Sequence, residues 1–452
     1  MPAGFSYQDS KGSARARVGA YGQQCEDNGK GGGATMDSHV EPKFRNLRQK
    51  EMQKYLSYIS GYLVAVGWQG SICSTAFLAS TIIQGIVILN HPAHSPQPYQ
   101  GTLLVWAVMF FCVFFNVFLA KKLPFVEGVL LIIYVVGLFV VIIPLWVLVP
   151  RNPASEVSTT FNNDGGWSSK GVAVMVGLGG VVPSLAGYDC AVHMAEESKD
   201  ASKTIPQFIV FGVAVNGIMG LIMVITFCFT LDDTQSILST MTGYPFIQVF
   251  VRLPTPAFQY QVSQANDVRK FNATNSYPAT NTMTALVVVV FTSAAISEIA
   301  TSSRQLWSFA RDGGLPFSSW VAKINDGANI PLNAIFVSLF IVIVVSLINL
   351  GSTVALNAIN SVTISTLMSP YILTMGCVLY RRLSGQPLPS RRWSLGRFGM
   401  AVNIASLVLL LPLFVFAFFP LATACHAELD ELGSRNVWSS CPRCDDVLGS
   451  EA

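Results

Sequence analysis

From about residue 58 onward the chain runs in long apolar stretches, each interrupted by a short polar or basic interval. The hydrocarbon core of a bilayer is roughly 30 Å thick, so a helix rising about 1.5 Å per residue needs about 20 mostly apolar residues to cross it. About nine segments reach or approach that length: 58–89, 101–120, 125–149, 171–194, 206–231, 282–306, 332–350, 353–380 and 398–420. The first is longer than a bilayer requires and is expected to tilt or project. The pattern predicts an all-α integral membrane protein. Outside the apolar stretches the chain changes character. Residues 1–43 contain glycine, serine and charge without apolar periodicity and read as a disordered cytosolic N-terminus. Residues 44–55 are basic and read as a short interfacial helix. Residues 424–452 form a polar C-terminal tail.

Composition strengthens this picture. Hydrophobic residues make up 51% of the 452, charged residues only 12%, and mean hydropathy is +0.49. A soluble chain carries about 25% charged residues, and so large a deficit needs many apolar spans. A formal charge of +3 gives no reason to expect a nucleic-acid partner. Its distribution is more informative. Lys121, Lys122, Lys199, Lys203, Arg304, Arg311, Arg381 and Arg382 fall on the same side as the basic 44–55 segment. The opposite loops hold few cations, among them Arg151, Lys170 and Arg252. Basic loops stay cytosolic, so the N-terminus is expected inside and, after nine crossings, the C-terminus outside. The sequon at Asn272 then lies in an outer loop as a glycosylation candidate.

Nine cysteines are present. Those inside apolar runs, such as Cys73, Cys112 and Cys190, read as small buried hydrophobes. The Cys441–Cys444 pair with Cys425 and His426 lacks a zinc-like frame, and its spacing reads as incidental. No metal or other cofactor is expected. A nucleophile–base pair and a phosphate loop are both missing, which argues against an enzyme.

Polar groups within apolar spans are costly and carry the candidate chemistry. The fourth span holds Gly177, Gly179, Gly180, Pro183 and Gly187 within a few turns, and is expected to be a broken helix with Tyr188 and Asp189 just after the break. Helix ends exposed at membrane depth bind charged substrate groups or ions. A kink for close packing is the plainer alternative. Asp189, His193 and Glu197 follow at helical spacing and share a face, as a proton path or gate; solvated interfacial charge is the alternative. His193 and Glu196 lack the further ligands a metal needs. The sixth span is rich in hydroxyls, including Ser297 and Thr301, and carries Glu298. Glu298 either lies within the membrane or snorkels to the inner surface. In the first span Trp68, Gln69, Ser71, Ser74 and Thr75 form a polar-aromatic patch, in which Gln69 lines a cavity or joins helices. Asn216, Asn349, Asn357 and Asn360 read as contacts between helices.

These residues sit in recognisable surroundings. KYLSYISGYLVAVGWQGS at 54–71, GYDCAVHMAEESKDASKTIP at 187–206 and SSRQLWSFARDGGLPFS at 302–318 resemble fungal permeases of the amino acid–polyamine–organocation (APC) superfamily, in the GABA, amino acid and choline branch. The resemblance covers residues 44–423. It implies a LeuT-like inverted repeat of about twelve helices, with discontinuous helices around a central site. By similarity the first span matches that family's third helix and the broken fourth span its sixth. Ser184, Ala186, Gly187, Tyr188 and Asp189 then match the substrate-lining break. Ser297, Glu298 and Thr301 match the helix facing the coupling cation.

What the resemblance implies is proton-coupled transport of a small amino acid or amine (GABA, an amino acid, choline or a polyamine), in the plasma membrane or alternatively a vacuolar or other internal membrane. The chain departs from the family at three places. Its matching region begins just before the third helix, residues 251–270 read as an insertion in an outer loop, and the last helix gives way to the polar tail. A gene with a lost start, a retained intron and a shifted end accounts for all three. The inverted-repeat fold is then incomplete, and a non-transporting or defective permease fragment, acting as a membrane partner or sensor, is the alternative function.

Overall fold

The computed structural model describes residues 40–161, 163, 165–195, 198, 200–231, 240, 242–251, 278–325, 330–350, 355–388, 392–396 and 398–420. Glu196, Glu197, Asn272, Cys425, His426, Cys441 and Cys444 lie outside the described residues, as do 252–270 of the expected insertion and the whole tail. Two compact units are distinguished, Met1–Ser57 and Tyr58–Ala452. In the first, the described residues are helical. The basic segment at 44–55, expected as a separate interfacial helix, is the leading part of α1 (Val40–Asn90). No glycine or proline stands between Phe44 and Gly61 to stop a helix, so the turn propagates.

In chain order the remaining helices are α2 (Pro98–Phe118), α3 (Leu123–Leu148), α4 (Ala154–Thr159), α5 (Lys170–Leu185), α6 (Cys190–His193) and α7 (Ala201–Thr230). They continue with α8 (Pro245–Val251), α9 (Pro278–Arg311), α10 (Ser318–Val321), α11 (Leu332–Ser346), α12 (Ala355–Leu383) and α13 (Phe398–Phe416). Among the described residues, eight helical segments are long and apolar enough to cross a membrane. The seventh expected span is shorter than its apolar run. Only the 15 residues of α11 are α-helical, and the chain tightens into a 3₁₀ turn at Leu347–Leu350.

The largest apolar core lies where α1, α2, α9 and α11 meet, with Ile72, Phe77, Met109, Ile299 and Val342 at its centre. Burial at this density removes water from the seams and leaves the outer faces for lipid. Phe208, Phe211, Leu221 and Val224 of α7 are such exposed apolar residues. Thr81 of α1 is hydrogen-bonded to the Tyr244 hydroxyl just before α8, and burial pushes the Tyr244 phenol above its usual range.

Close helix contact depends on small residues in α1. A β-carbon at Gly70 would collide with the Thr363 hydroxyl of α12, and one at Gly67 with Leu367. Gly70→Leu is therefore expected to destabilise the fold by about 1–3 kcal/mol through overpacking. The check is the thermal midpoint of detergent-extracted protein, read by size exclusion. An unchanged midpoint would show that α1 and α12 can separate freely.

Candidate functional site

The fourth span is broken, though not where its glycines suggest. Gly177, Gly179, Gly180 and Pro183 all lie inside α5, which Ser169 caps by accepting the Val172 N–H at 3.3 Å. Pro183 lacks an N–H, which weakens the last turn. The Ala186 N–H closes that turn on the carbonyls of Val182 (3.1 Å) and Pro183 (3.2 Å). The helix then stops. Gly187 has φ of +89°, a region that glycine enters without β-carbon strain. Helix resumes only at Cys190. Tyr188 and Asp189, expected just beyond the break, are therefore within it.

Three other helices converge on this break. Asp189, a carboxylic acid within the apolar segment Lys170–His193, is only 9% exposed. Its Oδ2 lies 3.4 Å from His193 Nε2, so the expected shared face does bring these two together. The indole N–H of Trp68, on α1, points at the same Nε2 from 3.2 Å, with the two rings at 85°. The Tyr371 ring of α12 lies 5.4 Å from that of Tyr188. The short helix α6 also packs against α9.

A second acid stands on α9. Ser71 and Thr75 of α1 donate to Glu298 Oε1 at 3.0 and 3.1 Å. Glu298 is thus turned towards α1 and does not snorkel to the inner surface. Its Oε2 is closed off from solvent and has no hydrogen-bond partner among the described residues. The neighbouring Ser297 donates to Glu127 of α3, and the Thr301 hydroxyl donates to the Ser297 carbonyl at 3.0 Å. Consecutive residues of one helix thereby join two different spans.

The remaining sequence candidates lie apart from this cluster. Gln69 donates to Ser338 of α11 at 3.0 Å, a contact between helices, while its Oε1 is buried without a partner among the described residues. Ser184 turns back on its own helix to the Val181 carbonyl at 2.6 Å. It lines a largely apolar cavity of about 610 Å³ formed by α3, α5, α7 and α9. Asn216, expected as a contact between helices, lines that cavity too.

Sequence reasoning missed Glu127 and Tyr371, and it placed Trp68 only in a general polar patch. Glu127 carried a usable signal, being an acid one turn inside an apolar run. Nothing local marks Tyr371, whose role arises from α12 packing beside the break.

Apolar spans assembled around a broken helix, with two carboxylates and hydroxyls held among them, define a multi-pass integral membrane protein. More narrowly, the chain belongs to the amino acid permease family, whose pattern matches residues 49–427. Its relatives share about a quarter of its residues. It is 25% identical over 394 residues to an amino acid/polyamine transporter of Macrophomina phaseolina, covering 86% of this chain and 81% of that one. It is 27% identical over 376 residues to the choline transporter of Saccharomyces cerevisiae, covering 83% and 62%. It is 26% identical over 384 residues to an amino-acid permease of Arabidopsis thaliana, covering 82% and 70%. The chain thus spans less than two thirds of the yeast choline transporter's length.

Proposed function

We propose that this permease carries small amines or amino acids (choline, GABA, an amino acid or a polyamine) by alternating access, coupled to protons, at the plasma membrane. The observation that carries the reading is the titratable cluster at the break. Asp189 and His193 are in contact there, and Glu298, held by Ser71 and Thr75, keeps a buried Oε2 that has no hydrogen-bond partner among the described residues. Carboxylates held at membrane depth attract a cationic amine or a proton. Trp68, Tyr188 and Tyr371 add aromatic faces that suit an ammonium group. The broken helix supplies the movable joint that alternating access requires. Relatives named for choline, for amino acids and for polyamines agree with this substrate range.

The test is uptake of radiolabelled choline, GABA and amino acids in permease-deficient cells. Asp189→Asn keeps the size of the side chain but removes its charge, and is expected to lower uptake at least about tenfold, since about 1.4 kcal/mol of lost interaction suffices for that. If wild-type chain inserts in the membrane and moves none of these solutes, the protein is a non-transporting membrane partner instead.

A further inference from the structure

We infer that the coupling proton binds at Nε2 of His193, and that the ring exchanges Trp68 for Asp189 when it does. This rests on the proton-coupled reading above and assigns that proton to one atom. The same nitrogen lies 3.2 Å from the Trp68 indole nitrogen and 3.4 Å from Asp189 Oδ2. An indole N–H can only donate, so the Trp68 bond needs a lone pair on Nε2. That state is the neutral ring with its hydrogen on Nδ1. An ionised carboxylate can only accept, so the Asp189 bond needs a hydrogen on Nε2. One nitrogen cannot satisfy both at once.

The step is a simple proton addition. A proton from water joins the Nε2 lone pair to form an N–H bond, and the ring becomes an imidazolium. The new N–H donates to Asp189, and the Trp68 N–H loses its acceptor. Release to water reverses both changes, and no other bond forms or breaks.

The partners give this exchange a mechanical consequence. Trp68 belongs to α1 and is 1% exposed, so its N–H has little access to water when it loses His193. Asp189 belongs to the break itself. The neutral ring therefore ties α6 to α1, and the protonated ring ties α6 to the break and releases α1.

Other titratable and charged groups belong to the elements packed around the ring. Among them are Cys190 and Tyr188 at the break, Cys73 on α1, Lys203 on α7, Glu298, Arg304 and Arg311 on α9, and Tyr371 on α12; α1 also carries Glu51, Lys54, Tyr55, Tyr58 and Tyr62, α7 Cys228, and α12 Cys377, Tyr380, Arg381 and Arg382. Among the described residues, the polar partners of Nε2 itself are Trp68 and Asp189.

Nuclear magnetic resonance of the full chain in lipid nanodiscs, with ¹⁵N-labelled histidine and tryptophan, tests the exchange directly. W68F and H193Q assign the two signals. The expected neutral form of His193 carries its hydrogen on Nδ1. As pH falls, His193 becomes the imidazolium and the Trp68 indole signal moves to its unbonded position at the same midpoint. In H193Q the amide oxygen still accepts from Trp68, so the indole signal stays bonded at every pH. In H193F it stays unbonded at every pH. A neutral His193 with its hydrogen on Nε2, or an indole signal indifferent to His193, overturns the inference.

Uptake against external pH is measured in parallel in permease-deficient cells, where H193Q and H193F are expected to flatten the profile. Partner exchange without uptake by wild type would retain the proton site and reject the transport reading. Concentrative uptake without partner exchange would do the reverse.

Discussion

Replacing Glu298 by alanine is expected to reduce concentrative uptake about a hundredfold while changing stability by no more than about 1–2 kcal/mol. The two effects separate because they have different causes. Ser71 and Thr75 donate to Glu298 Oε1, but both hydroxyls sit on α1 and can turn back to carbonyls one helical turn earlier. Losing the carboxylate also removes the cost of burying it, which offsets the lost hydrogen bonds. No such substitute exists for its charge. Oε2 is buried without a partner among the described residues, so the acid is poised to receive a proton or a cation that alanine cannot hold. Initial uptake rates normalised to inserted protein, beside thermal midpoints in detergent, give both numbers. Uptake within twofold of wild type would exclude Glu298 from transport. Glu298→Gln keeps the acceptor for Ser71 and Thr75, so it separates loss of charge from loss of shape.

The second large effect is expected at Gly187. Its φ of +89° is unfavourable for any residue with a β-carbon and worst for a β-branched one. Gly187→Val is expected either to cost about 1–3 kcal/mol in strain or to extend the helix across 186–189. Either outcome displaces Asp189 from His193, and uptake should fall below detection. Asparagine tolerates positive φ better than valine, so Gly187→Asn should recover part of both stability and transport. Equal loss in the two variants would mean that the position demands small size, not backbone freedom. Room around a side chain there is not severely limited, because the nearest atom to a β-carbon would be Cys190 Sγ at 3.8 Å.

The break shows how far local signals reach. Gly177, Gly179, Gly180 and Pro183 announced a weak helix, yet the glycines stay helical and the chain opens at Ala186–Asp189. Helix propensity is a weak bias that packing overrides. Pro183 removes one hydrogen bond from the end of α5, where no further helical turn follows to compensate. The i, i+4 spacing of Asp189 and His193 did foretell their contact, because that proximity follows from helix geometry alone. The alternatives for Glu298 and Gln69 could not be resolved in the same way. Whether an acid snorkels or faces a neighbour depends on which helix lies beside it.

The amino-acid sequence by itself determined that this is a multi-span membrane protein, which segments are apolar enough to cross, and which family motifs they carry. Those properties rest on hydropathy, charge and local order, all of which act along a single chain. Only the tertiary structure decided that Trp68 and Asp189 share one nitrogen of His193, that Ser71 and Thr75 serve Glu298, that Ser297 reaches Glu127, and that Ser184 faces a separate apolar cavity. The partners in these contacts stand up to 227 residues apart in the chain. They are chosen by how helices pack, and in the bilayer close packing and interhelical hydrogen bonds, not aversion to water, select one neighbour over another.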